Sequence, residues 1–169
     1  MILKYSLIAL LSPLVGGIIA AFLGKSMGKI FVNASTILGV TISFAFSCML
    51  ALDLYQTSVV FNQNLYSWIN IGTFTFHIGL LIDNLTASMM VVVTFVSLMV
   101  HIYTIGYMRD DPGYHRFFAY ISLFTFSMLS LVMSNNFLQL FFGWEAVGVM
   151  SYLLIGFWYT KESAIKANL

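Results

Sequence analysis

Apolar positions run through this chain in five long blocks, at residues 2–23, 31–52, 84–105, 117–134 and 136–159. A helix that crosses a hydrocarbon layer ~30 Å thick needs ~20 apolar residues, so each block predicts a membrane-spanning helix. Short polar breaks separate them. Gly24-Lys25-Ser26 predicts the end of the first helix and Asp53 the end of the second. Asp83 predicts the start of the third, because its carboxylate can accept the free N–H of Leu85 or Thr86. Gly106 and the turn Asp110-Asp111-Pro112-Gly113 separate the third from the fourth, and Asn135-Asn136 makes a tight turn before the fifth. The first block is too long for a signal-peptide core and has no A-x-A site after it, which predicts a retained helix. Pro13 and Gly16-Gly17 lie inside it. Such residues are tolerated in lipid where neighbouring helices satisfy the freed backbone groups, and glycine lets helices approach closely.

One stretch departs from this pattern. Residues 65–71 (LYSWINI) and 74–78 (FTFHI) alternate imperfectly at period two, with Gly72-Thr73 between them. That predicts a short hairpin lying on the outer membrane surface, where aromatic rings such as those of Tyr66 and Trp68 are enriched. There is no internal repeat, low-complexity tract or soluble domain. The chain closes on a polar-to-apolar segment, residues 161–169, that reads as the opening of another helix and so as a fragment.

Composition narrows the function classes. Of 169 residues, 60% are hydrophobic and 8% charged, whereas a soluble domain carries about 25% charged residues. This excludes an ordinary soluble enzyme, a disordered chain and a nucleic-acid binder, which needs a basic face. Cys48 is the only cysteine, so there is neither a disulfide framework nor a thiolate metal cage. Charge placement sets the direction. Lys25, Lys29, Arg109, Arg116, Lys161 and Lys166 fall on one side of the predicted spans, while Lys4, Asp53 and Asp83 fall on the other. The positive-inside rule then puts the N-terminus outside and residue 169 in the cytoplasm, with Lys4 as the one dissenting charge.

Two ionisable residues lie well inside a span, Glu145 and His101. Burying an acid in a bilayer costs on the order of 3 kcal/mol on insertion scales, so it defaults to a functional hypothesis. An acid in hydrocarbon is driven toward its neutral form, and an approaching cation draws it back to the anion. A carboxylate held between those pulls loads and releases a proton. No basic residue of the fifth block lies near Glu145, since Lys161 is ~24 Å further along at 1.5 Å per residue. Glu145 therefore stays neutral, faces water, or meets a cation from a helix outside this sequence. At helical spacing its face carries Phe141, Phe142, Gly148, Val149 and Tyr152, a pattern that reads as inward-facing. Two readings stand, a proton-relay carboxylate or a structural carboxylate in a helix–helix ion pair. His101 reads as a hydrogen-bonded histidine near the interface, with a relay as the alternative. His77 and His115 read as loop residues, Asp83 as a helix cap, and Arg109, Asp110, Asp111 and Arg116 as a solvated turn with a docking surface as the alternative. No metal-ligand spacing, phosphate loop or nucleophile–base pair appears.

Three blocks carry a resemblance: GLLIDNLTASMM at 79–90, HIYTIGYMRDDPGYHRFFAY at 101–120 and NNFLQLFFGWEAVGVMSYLLIGFWY at 135–159. Together they resemble the antiporter-like L subunits of proton-pumping NADH:quinone oxidoreductase, respiratory complex I. The large subunits of sodium/proton antiporters are related, but Ser151-Tyr152-Leu153-Leu154 after Trp144-Glu145, and the Asp-Pro-Gly-Tyr turn, look more like the complex I version. The resemblance implies an all-α polytopic membrane protein, part of an antiporter-like helix bundle. Residues 1–82 would form a two-helix segment plus the outer hairpin, and 83–169 the start of the translocation domain.

The resemblance also implies a role for Glu145. It matches the family's functional glutamate, which pairs with a lysine two helices further on. When the two lie close both charges are stable, and when they separate the lysine gives up its proton along a central water-lined axis. That lysine lies beyond Leu169. The implied function is coupling of electron transfer from NADH to quinone to proton translocation, in a bacterial inner membrane. No cofactor is expected in this chain, because the NADH, FMN, iron–sulfur and quinone sites belong to other subunits. The expected partners are the other membrane-arm subunits and the lipid bilayer, with no nucleic acid. The rival functions are a multi-subunit sodium/proton antiporter and a non-pumping scaffold.

Overall fold

The computed structural model describes residues 1–57, 59–71, 74–161, 164 and 166–167. Five helices and one hairpin follow in the order α1 (Ile2–Met27), α2 (Lys29–Thr57), β1 (Phe61–Ile71), β2 (Phe74–Ile82), α3 (Asn84–Tyr107), α4 (Tyr114–Val132) and α5 (Phe137–Ile155). All five helices are long and apolar enough to cross a membrane. The polytopic helical fold and the hairpin are those expected from the sequence. Gly72-Thr73 and much of 161–169, expected to form the hairpin turn and to open a further helix, lie outside the described residues.

Several boundaries differ from the expected ones, each for a local reason. Gly24 does not end α1. It is a contact residue, and a Cβ there would sit 2.8 Å from Val32 and 2.9 Å from His115. The chain reverses at Gly28 instead, where φ is +84° and only glycine is unstrained. Asp53 does not end α2 either. It sits exposed on the helix while its neighbour Leu54 is fully buried, so packing carries the helix on to Thr57. Gly106 lies within α3, with nothing near its Cβ position. At the far end α5 stops at Ile155, and residues 156–160 turn back toward the α3–α4 loop.

α1 and α2 pack through small residues. A Cβ on Gly16 would lie 2.8 Å from the Ser35 carbonyl oxygen, and one on Gly39 would lie 2.6 Å from that of Ser12. Such close backbone approach is how helices associate where lipid removes the hydrophobic drive. α1 also packs on α4, and α3 sits against both α2 and α4. α5 packs chiefly on α4, with Gly143 as its one buried residue. There a Cβ would lie 2.8 Å from Leu131 Cα.

Two apolar cores form at opposite ends. Ala9, Leu50, Leu54, Met90, Leu129 and Met133 pack with Leu80 and Ile82 of the hairpin. Ala20, Val32, Met108, Phe118 and Phe157 pack at the other end. Buried hydroxyls occupy the helix levels between them, among them Thr36, Ser43, Ser97, Ser122 and Thr125. The strands are antiparallel, with register shifts between Asn64 and Tyr66 and between Ser67 and Ile69. Bulges at Leu65 and Trp68 therefore account for the imperfect alternation.

Pro13 has no N–H, so the carbonyl of Ala9 loses its helical partner. Ser43 of α2 donates to that carbonyl at 2.6 Å. Ser43→Ala is expected to cost about 1 kcal/mol, the scale of interhelical hydrogen bonds in membranes. Pro13→Ala restores an N–H at position 13, so Pro13→Ala/Ser43→Ala should lose less than Ser43→Ala alone. Denaturant titration of the full-length protein in micelles measures both, and equal losses would refute the coupling.

Candidate functional site

α5 carries the candidate carboxylate, and its two ends are fixed differently. At the start, Asn136 caps the helix by accepting from the Gln139 N–H at 2.9 Å. The same residue donates its amide N–H to the His77 carbonyl at 2.8 Å. Gln139 Oε1 accepts from the Gly79 N–H at 3.0 Å, and the Met133 carbonyl accepts from the Leu81 N–H at 3.0 Å. Asn135 donates to the side-chain oxygens of Asn62 and Asn64 at 3.1 and 2.8 Å. The α4–α5 turn is thus bonded to both strands of the hairpin. At the other end, the Trp158 indole N–H donates to Asp111 Oδ2 at 2.8 Å, and Asp111 Oδ1 accepts from the Gly113 N–H at 2.7 Å. The Arg116 guanidinium lies over the rings of Phe157 and Tyr159, 5.1 and 5.6 Å from their centroids.

Between these anchors Glu145 is exposed, and so are Phe141, Phe142, Trp144, Gly148, Val149 and Tyr152. Within these five helices the face is outward, contrary to the inward-facing expectation. The reason is that Gly143 is the surface α5 turns toward α4, and Glu145 is two residues, or ~200° around the helix, from it. A Cβ on Gly148, about one turn on from Glu145, would meet nothing within 4 Å. Of the described basic residues, Lys4 stands at the start of α1 toward the hairpin, and a cluster stands at the opposite end. Lys25, Lys29 and His115 line one cleft with Asp110 and Asp111 at the end opposite the hairpin, and Lys29 donates to the Arg109 carbonyl. Lys161 lies over the Trp158 ring, 4.2 Å from its centroid, at that same end.

The other candidates separate. His101 is fully buried between α3 and α4. It stands at the level of Ser122, whereas Glu145 stands near Leu129, ~10 Å further along α4 at 1.5 Å per residue. The structure does not bring the two together. His77 pairs with Ser67 across the exposed hairpin, Nδ1 to Oγ 3.1 Å. Arg109, Asp110, Asp111 and Arg116 form a built corner rather than a merely solvated turn, because Asp111 and Arg116 hold the residues after α5. Asn135, Asn136 and Gln139 are positioning residues; the sequence marks the two asparagines only as a turn and does not single out Gln139. Asn-x-x-Gln at a helix start resembles a capping box, and that signal was present. Here Gln139 serves the hairpin instead.

Asp83 caps α3 as expected, accepting from the Thr86 N–H at 2.7 Å. That backbone hydrogen bond is the main cause holding its carboxyl below the usual value of 3.8. The carboxyl titrates lower in the folded chain, so the cap's contribution is full above the ordinary carboxylate range and fades as pH falls below it. Asp83→Asn keeps a capping oxygen without the titration. Its stability relative to wild type should therefore rise as pH drops below about 4, and a difference that stays constant across acid pH would refute this. A second test concerns the hairpin. Gly79→Ala drives a Cβ into the Asn135 side chain and should free the hairpin from the α4–α5 turn. Limited proteolysis should cut residues 61–82 faster than in wild type; an unaltered cutting rate would refute the clamp.

Comparisons with known proteins agree with this architecture. Residues 68–118 match the family described as NADH-ubiquinone oxidoreductase (complex I), chain 5 N-terminus. Residues 134–169 match NADH:quinone oxidoreductase/Mrp antiporter, TM. The chain is 56% identical over 167 residues to NADH-quinone oxidoreductase subunit L of Neisseria meningitidis serogroup A, covering 98% of this chain and 25% of that relative. It is 42% identical to NADH-ubiquinone oxidoreductase chain 5 of Dictyostelium discoideum, over 96% of this chain and 24% of that one. The chain thus spans about a quarter of the length of these curated relatives. Its fold matches a chain in the structure of an archaeal membrane-bound sulfane sulfur reductase, a respiratory membrane complex. The TM-score is 0.82 at 15% identity, over 96% of this chain and 32% of that one. With five apolar helices and these relatives, the chain belongs to the family of antiporter-like membrane subunits of complex I, subunit L or chain 5.

Proposed function

We propose that this chain belongs to the membrane arm of a proton-translocating NADH:quinone oxidoreductase and carries half of a proton-transfer switch at Glu145. The observation that carries the reading is the setting of that acid. It lies within a span, on the face α5 turns away from α4, with open space one turn on at Gly148 and with Lys25, Lys29, Arg109, Arg116 and Lys161 gathered at the end opposite the hairpin. An ionised carboxylate on such a face is costly in hydrocarbon unless a cation or water reaches it. A positive side chain on a helix outside this sequence supplies the partner. Approach of that charge favours the anion of Glu145, and withdrawal favours its uptake of a proton. Alternation between the two moves a proton by one step.

The redox chemistry belongs to other subunits of the assembly, which hold NADH, FMN, iron–sulfur clusters and quinone; this chain contributes proton movement. Its partners are the neighbouring membrane-arm subunits and the bilayer. The clustering of Lys25, Lys29, Arg109, Arg116 and Lys161 away from the hairpin supports a cytoplasmic basic end and an outer hairpin in a bacterial inner membrane. A sodium/proton antiporter subunit is the second reading, favoured by the family description that joins the two for residues 134–169.

Glu145→Gln in the full-length protein is the test. The side chain keeps its size and cannot ionise. Assembly and electron transfer to quinone are expected to persist, while proton pumping into membrane vesicles falls by an order of magnitude or more if this step is obligatory. Normal pumping by an assembled variant removes Glu145 from the mechanism. Sodium-dependent proton exchange without NADH oxidation would favour the antiporter.

A further inference from the structure

A second ionisable group lies in the spans, and the switch at Glu145 does not use it. His101 is fully buried, with both ring nitrogens in hydrogen-bond contact. Nδ1 is 2.8 Å from the Ser97 carbonyl oxygen. A carbonyl only accepts, so Nδ1 carries a hydrogen. Nε2 is 3.0 Å from Ser122 Oγ on α4. Ser97 Oγ stands 3.4 Å from Nδ1 and 2.5 Å from Thr125 Oγ1, and Thr125 lies 2.9 Å from the Ile121 carbonyl that accepts from it. Phe118 covers the ring edge-on, 6.0 Å between centroids. Ser97 and Thr125 also form part of the wall of a groove of about 520 Å³ between α3 and α4 that reaches Leu154 of α5.

The choice of partners matters more than their number. A histidine that only braces two helices is served equally well by a donor-only group at Nε2, such as a backbone N–H, and that would fix it as neutral. Here neither nitrogen meets a donor-only group. Nδ1 faces an acceptor, and Nε2 faces a hydroxyl, which donates to a neutral ring or, once turned, accepts from a charged one. A serine hydroxyl in a helix has the carbonyl one turn back to receive its hydrogen when it turns. The site can therefore take a proton without losing a hydrogen bond to the ring.

We propose that His101 is a second proton-holding site, with Nε2 as the atom that loads and Ser122 Oγ as the hydroxyl that turns. Loading adds one solvent-derived proton to the lone pair of Nε2, and Ser122 Oγ changes from donor to acceptor. Unloading returns that proton and the hydroxyl turns back; no heavy-atom bond forms or breaks. The charged side chains of the packed helices lie toward the helix ends rather than beside the ring. α3 contributes no charged side chain, and its Tyr103 and Tyr107 are exposed. α4 carries His115 and Arg116 in its first turn, and α1 and α2 carry Lys4, Lys25, Lys29 and Asp53 near their ends. The titratable group that approaches from α4 is Tyr114, which stacks behind Phe118 and donates its hydroxyl to Asn33 Oδ1 at 2.6 Å. The place of this site in translocation rests on the reading of the chain as a proton-moving subunit.

The test uses the full-length protein in its assembled complex. His101→Gln keeps a donor and an acceptor but cannot take a proton. It is expected to assemble, to oxidise NADH at the wild-type rate, and to move fewer protons per electron. Its pumping profile should lose the limb contributed by protonation of the imidazole. Unaltered stoichiometry and an unaltered profile overturn the proposal. Should His101→Gln fail to assemble, Ser122→Ala decides. It removes the hydroxyl that must turn and leaves the packing nearly intact, so the same limb must move or vanish; a limb left in place overturns the proposal. Pumping lost in Glu145→Gln but intact in His101→Gln sinks this inference alone. Pumping intact in Glu145→Gln but lost in His101→Gln sinks the Glu145 reading alone.

Discussion

Backbone polar groups in hydrocarbon have no water to turn to, and this fold is arranged around that constraint. Its clearest expression is the single hydroxyl that joins α2 to a proline-freed carbonyl of α1. Pro13 weakens α1, yet the unmet Ala9 oxygen gives α2 a fixed point of attachment. The close contacts at Gly16 and Gly39 bring the two backbones near enough for Ser43 to reach. The same requirement recurs at the hairpin, where outward-pointing strand N–H groups at Gly79 and Leu81 are met by Gln139 and by the Met133 carbonyl. Polar satisfaction and helix placement are one problem here rather than two.

The polar layer between the two apolar cores follows the same logic. Hydroxyls in α2, α3 and α4 mostly bond to the carbonyl one turn back in their own helix, as Thr36, Ser47, Thr94 and Thr104 do. That satisfies them without tying one helix to another. The exceptions are Ser43, Tyr114 and the group around His101, which cross between helices. Specific polar links are thus few, and each falls where two helices must keep one register.

The spans and the cap at Asp83 could be read from the chain because hydrophobic length and a capping carboxylate are local signals. The helix ends at Gly24 and Asp53 were misplaced because a glycine or an acid has two meanings that only packing resolves. Gly24 faces Val32 and His115, and Asp53 precedes a buried leucine. The candidate acid was visible from its isolation in an apolar run. Its orientation was not, because a helix with large apolar residues all round has no periodicity to reveal which side meets its neighbour. Gly143, the smallest residue on α5's inner face, was the available clue. The clamp of Asn135, Asn136 and Gln139 joins residues some sixty to seventy positions apart in sequence, beyond any local pattern.

α5 rests on the bundle along one side, most closely at a glycine, and is tied at its two ends. A rod held at both tips and along one side cannot spin. Glu145 therefore keeps a constant bearing, and its separation from whatever lies opposite is set by where that neighbour stands. In the proposed switch, separation rather than direction becomes the working coordinate.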